Sequence, residues 1–256
     1  VAGFDLARRL RAGETVYAAW CSFAAPMVAE TVARGGFAAV VLDMQHGLWD
    51  TGSIIAGIGT VDHAGASPVV RVPLNDFAFV SRALDFGAAA IIAPMINSAA
   101  DARKFAAVAK FPPLGERSWG PQRAMTLQGK TATVDYLREA NDGTLTMAMI
   151  ETPMALAQVD SIAETPGIDA LFIGPYDLST SLSAGKAQDV QAAEVERAID
   201  QICVAANKAG KIAGIYCTNA ERALAMAKRG FRFVTVGGDV GYLRDGLAAQ
   251  MKTLKG

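Results

Sequence analysis

Asp43, His46, Arg71, Glu151 and Asp177 each close or closely follow a short apolar run of the chain. Glu151 and Asp177 supply two carboxylates with no cysteine or second histidine nearby, a donor set suited to a hard divalent ion such as Mg²⁺ or Mn²⁺. With so few protein ligands, most coordination positions stay open to water and a chelating substrate, as metal-assisted catalysis requires. The same two carboxylates also suit the acid/base couple of a glycoside hydrolase, although that reading leaves Arg71 and His46 without clear tasks. Arg71 offers a permanent charge and several donors for a developing enolate oxygen or a substrate carboxylate. His46 is one of only two histidines. Asp43, three residues earlier, is placed to orient its ring as an acid/base dyad working near neutral pH. His63 falls before another apolar run, on the opposite edge, and reads as structural.

Two further features bear on chemistry. In Gly174-Pro-Tyr-Asp177 a Gly-Pro turn opens a helix, so the N–H groups of Tyr176 and Asp177 are free to hold an anion such as a carboxylate. Gly237-Gly238 resembles a phosphate-holding turn and equally a plain Gly-Gly turn. No lysine closes an apolar run, and Lys211 stands at the start of one, at the wrong edge for a Schiff base in a barrel mouth. If a carbonyl substrate is activated here, the electron sink is a metal.

These residues need a scaffold that brings separate run ends to one edge. Eight continuous apolar runs meet that need: Val16–Cys21, Ala38–Leu42, Pro68–Val72, Ala89–Pro94, Leu145–Ile150, Ala170–Ile173, Ile212–Tyr216 and Phe233–Val236. They lack two-residue alternation, as expected of strands buried on both faces. Ala-rich helical stretches separate them, including 26–34, 76–86, 99–109, 154–164, 192–209 and 220–229. Gly35, Gly87, Gly210 and Gly230 follow four of these stretches as candidate helix caps. Eight β-then-α repeats predict a closed (β/α)8 (TIM) barrel, in the α/β class, occupying residues 1–256 as one domain, with its active site at the C-terminal ends of the strands. The connection between the fourth and fifth runs is long. It carries an extra helix at 131–140 and the segment Gly115-Glu-Arg-Ser-Trp-Gly-Pro-Gln-Arg-Ala124, and such insertions serve as lids or binding loops. Trp119 and Arg123 are its candidate substrate contacts.

Composition narrows the class. The chain has 256 residues, is 52% hydrophobic and 19% charged, and has a formal net charge of −1, so a large core is available and no basic patch marks a nucleic-acid or membrane-surface binder. Cys21, Cys203 and Cys217 are widely spaced and read as reduced thiols of a cytoplasmic protein. No apolar stretch is long enough to span a bilayer, and the N-terminus has no signal-peptide pattern.

The motifs Leu42-Asp-Met-Gln-His-Gly47, Val70-Arg-Val-Pro73, Ile150-Glu-Thr152 and Phe172-Ile-Gly-Pro-Tyr-Asp-Leu-Ser179 closely resemble the HpcH/HpaI aldolase family, from about Phe4 to the C-terminus. Segment 115–124 looks more like its macrophomate-synthase branch. The resemblance implies a phosphoenolpyruvate/pyruvate-type barrel that cleaves a 4-hydroxy-2-keto acid reversibly to pyruvate and an aldehyde through a metal-bound enolate. Oxaloacetate decarboxylation or macrophomate-type carbon–carbon bond formation shares that enolate and stays open. The resemblance further implies that Glu151 and Asp177 hold Mg²⁺, Mn²⁺ or Co²⁺, that Arg71 stabilises the enolate, and that His46 with Asp43 handles protons. Asp85 matches an acidic position that reaches a neighbouring subunit's site. A homohexamer, built as a trimer of dimers with the terminal helix 243–254 exchanged between subunits, is implied as well. Gln45 and Met149 depart from the family, whose members often carry Glu and Gln there, which points to a different aldehyde preference.

Overall fold

Each of the eight apolar runs becomes a strand, and the eight close into one parallel barrel in chain order. The computed structural model describes residues 4–255. Helix α1 (Asp5–Arg11) precedes β1 (Val16–Cys21), followed by α2 (Pro26–Arg34), β2 (Ala39–Asp43), α3 (Thr51–His63), β3 (Ser67–Arg71), α4 (Phe77–Phe86) and β4 (Ala90–Ala93). Helices α5 (Ala99–Ala109), α6 (Gln122–Leu127) and α7 (Thr133–Gly143) fill the long connection to β5 (Leu145–Ile150). Then come α8 (Pro153–Ala157), α9 (Val159–Ala163), β6 (Ala170–Ile173), α10 (Pro175–Leu182), α11 (Ala193–Lys208) and β7 (Ile212–Cys217). Helix α12 (Ala220–Lys228), β8 (Phe233–Gly238) and α13 (Asp239–Lys255) end the described chain. No helix among the described residues is long and apolar enough to cross a membrane.

Strand parity sorts the core into two layers, because successive strand residues face opposite sides of the sheet. Val16, Ala18, Trp20, Ala39, Val41, Val69, Ile92, Met147, Met149, Phe172 and Phe233 pack together inside the barrel. Their alternates Val40, Leu42, Val70, Ile91, Ala148, Ile150, Leu171, Ile173 and Ile215 pack outward against the helices. Leu6, Ala7 and Leu10 of α1 join the interior cluster, so this short helix plugs the end where the strands begin. The opposite end is left to polar side chains.

Several boundaries differ from the sequence reading. The stretch 154–164 splits into α8 and α9 at Gln158, whose φ of −114° and ψ of 14° are not helical. Gly87 caps α4 in the left-handed conformation, whereas Gly35 stays right-handed and Gly36 takes the positive φ. Gly237-Gly238 closes the barrel beside β1: a Cβ on Gly238 would meet the Trp20 carbonyl oxygen at 2.9 Å, and neither glycine lines the mouth cavity. The insertion is not a lid over its own barrel's mouth. Helix α6 lies against α4 and α7 against α1, around a small core of Phe111, Ala124, Met125, Tyr136 and Ala140.

Candidate active site

The top inward layer of the barrel forms the floor of a cavity of about 280 Å³, lined by Trp20, Ser22, Asp43, His46, Arg71, Met149, Gly174, Pro175, Tyr176, Asp177 and Tyr216. Asp43 ends β2 and Arg71 ends β3, and the parallel register pairs them directly. The Arg71 guanidinium donates through Nε to Asp43 Oδ1 at 2.8 Å and through Nη2 to Oδ2 at 2.6 Å. Their side chains are only 8% and 2% exposed, so the pair is desolvated and the bidentate geometry matters.

Trp20 braces this pair twice. Its indole N–H donates to Asp43 Oδ2 at 3.2 Å, and its ring lies under the guanidinium with the carbon 4.8 Å from the centroid. The ring is itself held by Phe172, stacked at 6.1 Å, and by the edge of Tyr216 at 5.5 Å. Burial works to raise the Asp43 carboxyl, but the bonds and charge of Arg71, with the Trp20 and His46 donors, outweigh it and hold the group below its ordinary 3.8.

The expected Asp43–His46 dyad is corrected here. Asp43 Oδ1 accepts from the backbone N–H groups of Gln45 and His46, and both of its oxygens are engaged by Arg71. It therefore folds the β2–α3 loop and aims Arg71. It does not orient the imidazole. His46 is exposed and lines the cavity on its own.

Glu151 follows Met149 by two residues and so shares its inward parity. It is 2% exposed, and its Oε1 accepts the Met95 N–H at 2.8 Å. Met95 takes a φ of 55°, unusual for a residue with a side chain, and this left-handed turn aims the amide. Gly174 makes room on the other side, since a Cβ there would meet Glu151 Oε2 and the Met149 methyl at 2.5 Å. Burial pushes the Glu151 carboxyl up to about 7, and the charge of Asp177 adds to the rise against the Met95 N–H and Arg71. Asp177 sits in the first turn of α10, with Gly174 as the N-cap residue and Pro175 at the first helical position. No side chain caps this helix, which leaves the first-turn amides of Tyr176 and Asp177, two residues that line the cavity, without a capping acceptor.

Among the described residues no group of three or more His, Cys, Asp or Glu gathers as a metal cage. Two carboxylates fit a hard divalent ion whose remaining positions stay open. A buried carboxyl driven toward its neutral form by burial and a like charge is what a bound cation would relieve.

Not every expected residue reaches this cavity. Asp85, on α4, accepts from Arg117 at 2.6 Å, and a Cβ on Gly120 would touch its carboxylate. Trp119 packs on Phe111 and Tyr136, with ring centroids 5.8 and 6.2 Å away. Arg123 donates to the Ile55 carbonyl on α3 at 3.1 Å. All three lie outside the cavity of their own chain. Conversely, Trp20, Tyr216 and Met95 do site work that charge-based reading missed. For Trp20 and Tyr216 the signal was present as strand parity: they occupy the same inward layer as Asp43 and Arg71.

Fold and site together define a (β/α)8-barrel enzyme with an arginine and two carboxylates at its mouth. The chain belongs to the HpcH/HpaI aldolase/citrate lyase family, whose model matches residues 17–246. It is 38% identical over 231 residues to a hydroxypyruvate/pyruvate aldolase of Rhizorhabdus wittichii, covering 90% of each chain. It is 33% identical to a 4-hydroxy-2-oxo-heptane-1,7-dioate aldolase of Salmonella dublin, over 94% of this chain and 90% of that one. The crystal structure of an HpcH/HpaI aldolase from Desulfitobacterium hafniense superposes with a TM-score of 0.90 at 30% identity, over 98% of this chain and 96% of that one. The chain is accordingly a lyase of the aldolase type.

Proposed function

We propose that this protein is a class II aldolase that reversibly cleaves a 4-hydroxy-2-keto acid to pyruvate and an aldehyde. The carrying observation is Arg71, held by Asp43 and Trp20 at a cavity that Asp177 lines, with Glu151 buried just behind Gly174. Names of relatives that include pyruvate and a hydroxy-oxo acid agree with it. Glu151 and Asp177 would hold the divalent cation, Mg²⁺, Mn²⁺ or Co²⁺, whose charge polarises the substrate's keto group.

The remaining chemistry belongs to the chain. The free amides of Tyr176 and Asp177 at the start of α10 hold the substrate carboxylate. In cleavage the C4 hydroxyl loses its proton to His46 at the cavity rim, the C3–C4 bond breaks, and its electron pair moves onto C3 and the C2 oxygen as an enolate. Arg71 stabilises that oxyanion, and the proton taken up by His46 is returned to C3 through solvent to give pyruvate. The aromatic wall of Trp20, Tyr176 and Tyr216 and the thioether of Met149 favour an aldehyde with little polar demand at that side. A glycoside hydrolase reading finds no task for Arg71.

A homo-oligomer belongs to the same proposal. Val240, Leu243, Leu247, Met251 and Leu254 are exposed along one side of α13, whose only buried described residue is Asp239. A second copy of the chain, in a hexamer with this helix exchanged, would cover them. It could also bring Asp85, Trp119 or Arg123 to a neighbour's mouth. The free cysteines suit a reducing cytoplasm.

The test is exchange of the pyruvate methyl protons in deuterated water. Metal-dependent exchange that disappears in Arg71→Ala is expected. Exchange that ignores the metal, or none with metal present, would falsify the assignment.

A further inference from the structure

At the end of the barrel away from the mouth lies a second, larger cavity of about 510 Å³, lined by Leu10, Arg11, Gly13, Asp169, Asn207, Gly210, Lys211, Ile212, Ala213 and Arg232. Three cations converge there from separate elements: Arg11 ends α1, Lys211 precedes β7 and Arg232 precedes β8. The one carboxylate in the lining is already committed. Asp169 Oδ2 accepts from Lys110 Nζ at 2.7 Å and from the Thr146 amide at 2.9 Å, while Oδ1 accepts from Arg11 at 2.7 Å. Lys110 is fully buried, and its other hydrogen bonds go to the neutral carbonyls of Asn141 and Thr144, so Asp169 is the carboxylate bonded to its charge. The positive charge of Arg11, Lys211 and Arg232 is therefore in excess at this cavity.

The donors are also underused. Lys211 Nζ donates to the Ile168 carbonyl at 2.7 Å. Arg232 uses Nη1 for Thr15 Oγ1 and for the carbonyls of Ala227 and Phe231. Arg11 uses Nη2 for Asp169 and the Asp142 carbonyl. Among the described residues, Nε and Nη2 of Arg232, Nε and Nη1 of Arg11 and the other Lys211 hydrogens have no protein acceptor. Guanidinium forks with free edges suit the oxygens of phosphates and carboxylates.

We propose that this basal cavity binds a small polyanion, a phosphorylated or polycarboxylate metabolite bearing at least two negative charges. It lies at the opposite end of the barrel from Arg71 and Glu151, so its occupant takes no part in bond cleavage and the site does not depend on the aldolase reading. Its effect follows from what it bridges. Arg11 belongs to the helix that plugs the barrel floor, while Lys211 and Arg232 belong to the barrel itself. A ligand on all three ties plug to barrel and stabilises the fold by mass action.

The experiment is calorimetric titration of the full chain, dialysed against EDTA, with pyrophosphate and separately with tricarballylate at about 0.15 M ionic strength. Saturable binding by either probe is expected, with a rise in melting temperature at saturation; which probe binds tells a phosphate-type from a polycarboxylate ligand. Lys211→Gln should weaken binding about tenfold or more, as loss of a charged donor does, and Lys211→Arg should retain it. Arg232→Gln should act like Lys211→Gln. If it does not fold, the lysine pair decides. Unchanged affinity in Lys211→Gln, or no saturation with either probe, overturns the proposal.

Discussion

Asp43 and Arg71 face each other across the β2–β3 ladder as direct register partners, joined by two hydrogen bonds of 2.8 and 2.6 Å. Breaking a buried pair leaves one charge uncompensated. Asp43→Asn should therefore destabilise the barrel by about 3 kcal/mol, measured by urea unfolding. The sign with pH follows from the lowered Asp43 carboxyl. The folded protein holds that proton less tightly than the unfolded chain, whose value is near 3.8. The stabilisation is thus complete above about pH 4 and is lost as pH falls through the depressed folded value. The gap between wild type and Asp43→Asn should be wide near neutrality and close in acid. A gap constant down to about pH 2 would remove the ionised pair from the account.

Trp20 acts on this pair through two separable contacts. Trp20→Phe keeps a ring under Arg71 and loses the N–H to Asp43, whereas Trp20→Leu loses both. Misplacing a charge-stabilising group by about 1 Å costs on the order of 100-fold in rate. The expected order of kcat is wild type, then Phe, then Leu, with the Leu variant down about 100-fold and KM changed less. A Leu variant with wild-type kcat would leave Trp20 as wall alone.

Gly174 is required by contact and not by backbone conformation. Its φ is −94°, which any residue adopts, but a Cβ would meet Glu151 Oε2 and Met149 at 2.5 Å. Gly174→Ala should leave the melting temperature within a few degrees while displacing Glu151 and removing most of the activity. Met149→Ala in the same chain should restore part of it by freeing one of the two contacts. Full activity in Gly174→Ala alone would show that Glu151 has room to move.

The barrel was legible because buried parallel strands advertise themselves as unbroken apolar runs, and the strands at 16–21, 145–150 and 170–173 coincide with their runs. Helix α3 was legible from the β-then-α repeat and not from its own residues. Its sequence carries Gly52, Gly57 and Gly59, which weaken helix propensity, and it forms through packing: a Cβ on Gly57 would strike the Trp49 ring at 2.6 Å. The site was half legible. Charged strand ends pointed to Arg71, Glu151 and Asp177, but the three-residue spacing of Asp43 and His46 suggested the wrong partnership. Cross-strand register, which places Arg71 beside Asp43, cannot be read along one strand. The left-handed Met95 is invisible for a different reason, since methionine is not one of the residue types, glycine, asparagine and aspartate, that mark a positive φ.

The exposed stripe on α13 makes a claim about assembly. Light scattering should give a mass several times that of one chain. Replacing Leu243 and Leu247 by Glu places two charges on that stripe and should yield monomers that keep their circular-dichroism spectrum, because neither side chain is in the barrel core. An unchanged mass in that double variant would mean that copies meet elsewhere.

Metal binding is readable without turnover. A divalent cation held by Glu151 and Asp177 binds the folded chain and not the unfolded one, so Mn²⁺ at about 100 times its dissociation constant should add about 2.7 kcal/mol, roughly 5–10 °C in melting temperature. EDTA should reverse the rise. Glu151→Gln keeps the shape and an acceptor for the Met95 N–H but removes the charge, so the rise should shrink to a small fraction. Arg71→Lys should keep the rise, since Arg71 bonds Asp43 and not the carboxylate pair, while lowering kcat by about 100-fold or more through loss of the bidentate fork. The two variants thus separate holding the ion from stabilising the oxyanion. A Glu151→Gln chain that still gains the full rise would remove Glu151 from the ligand set and return the mouth to Asp177 and solvent.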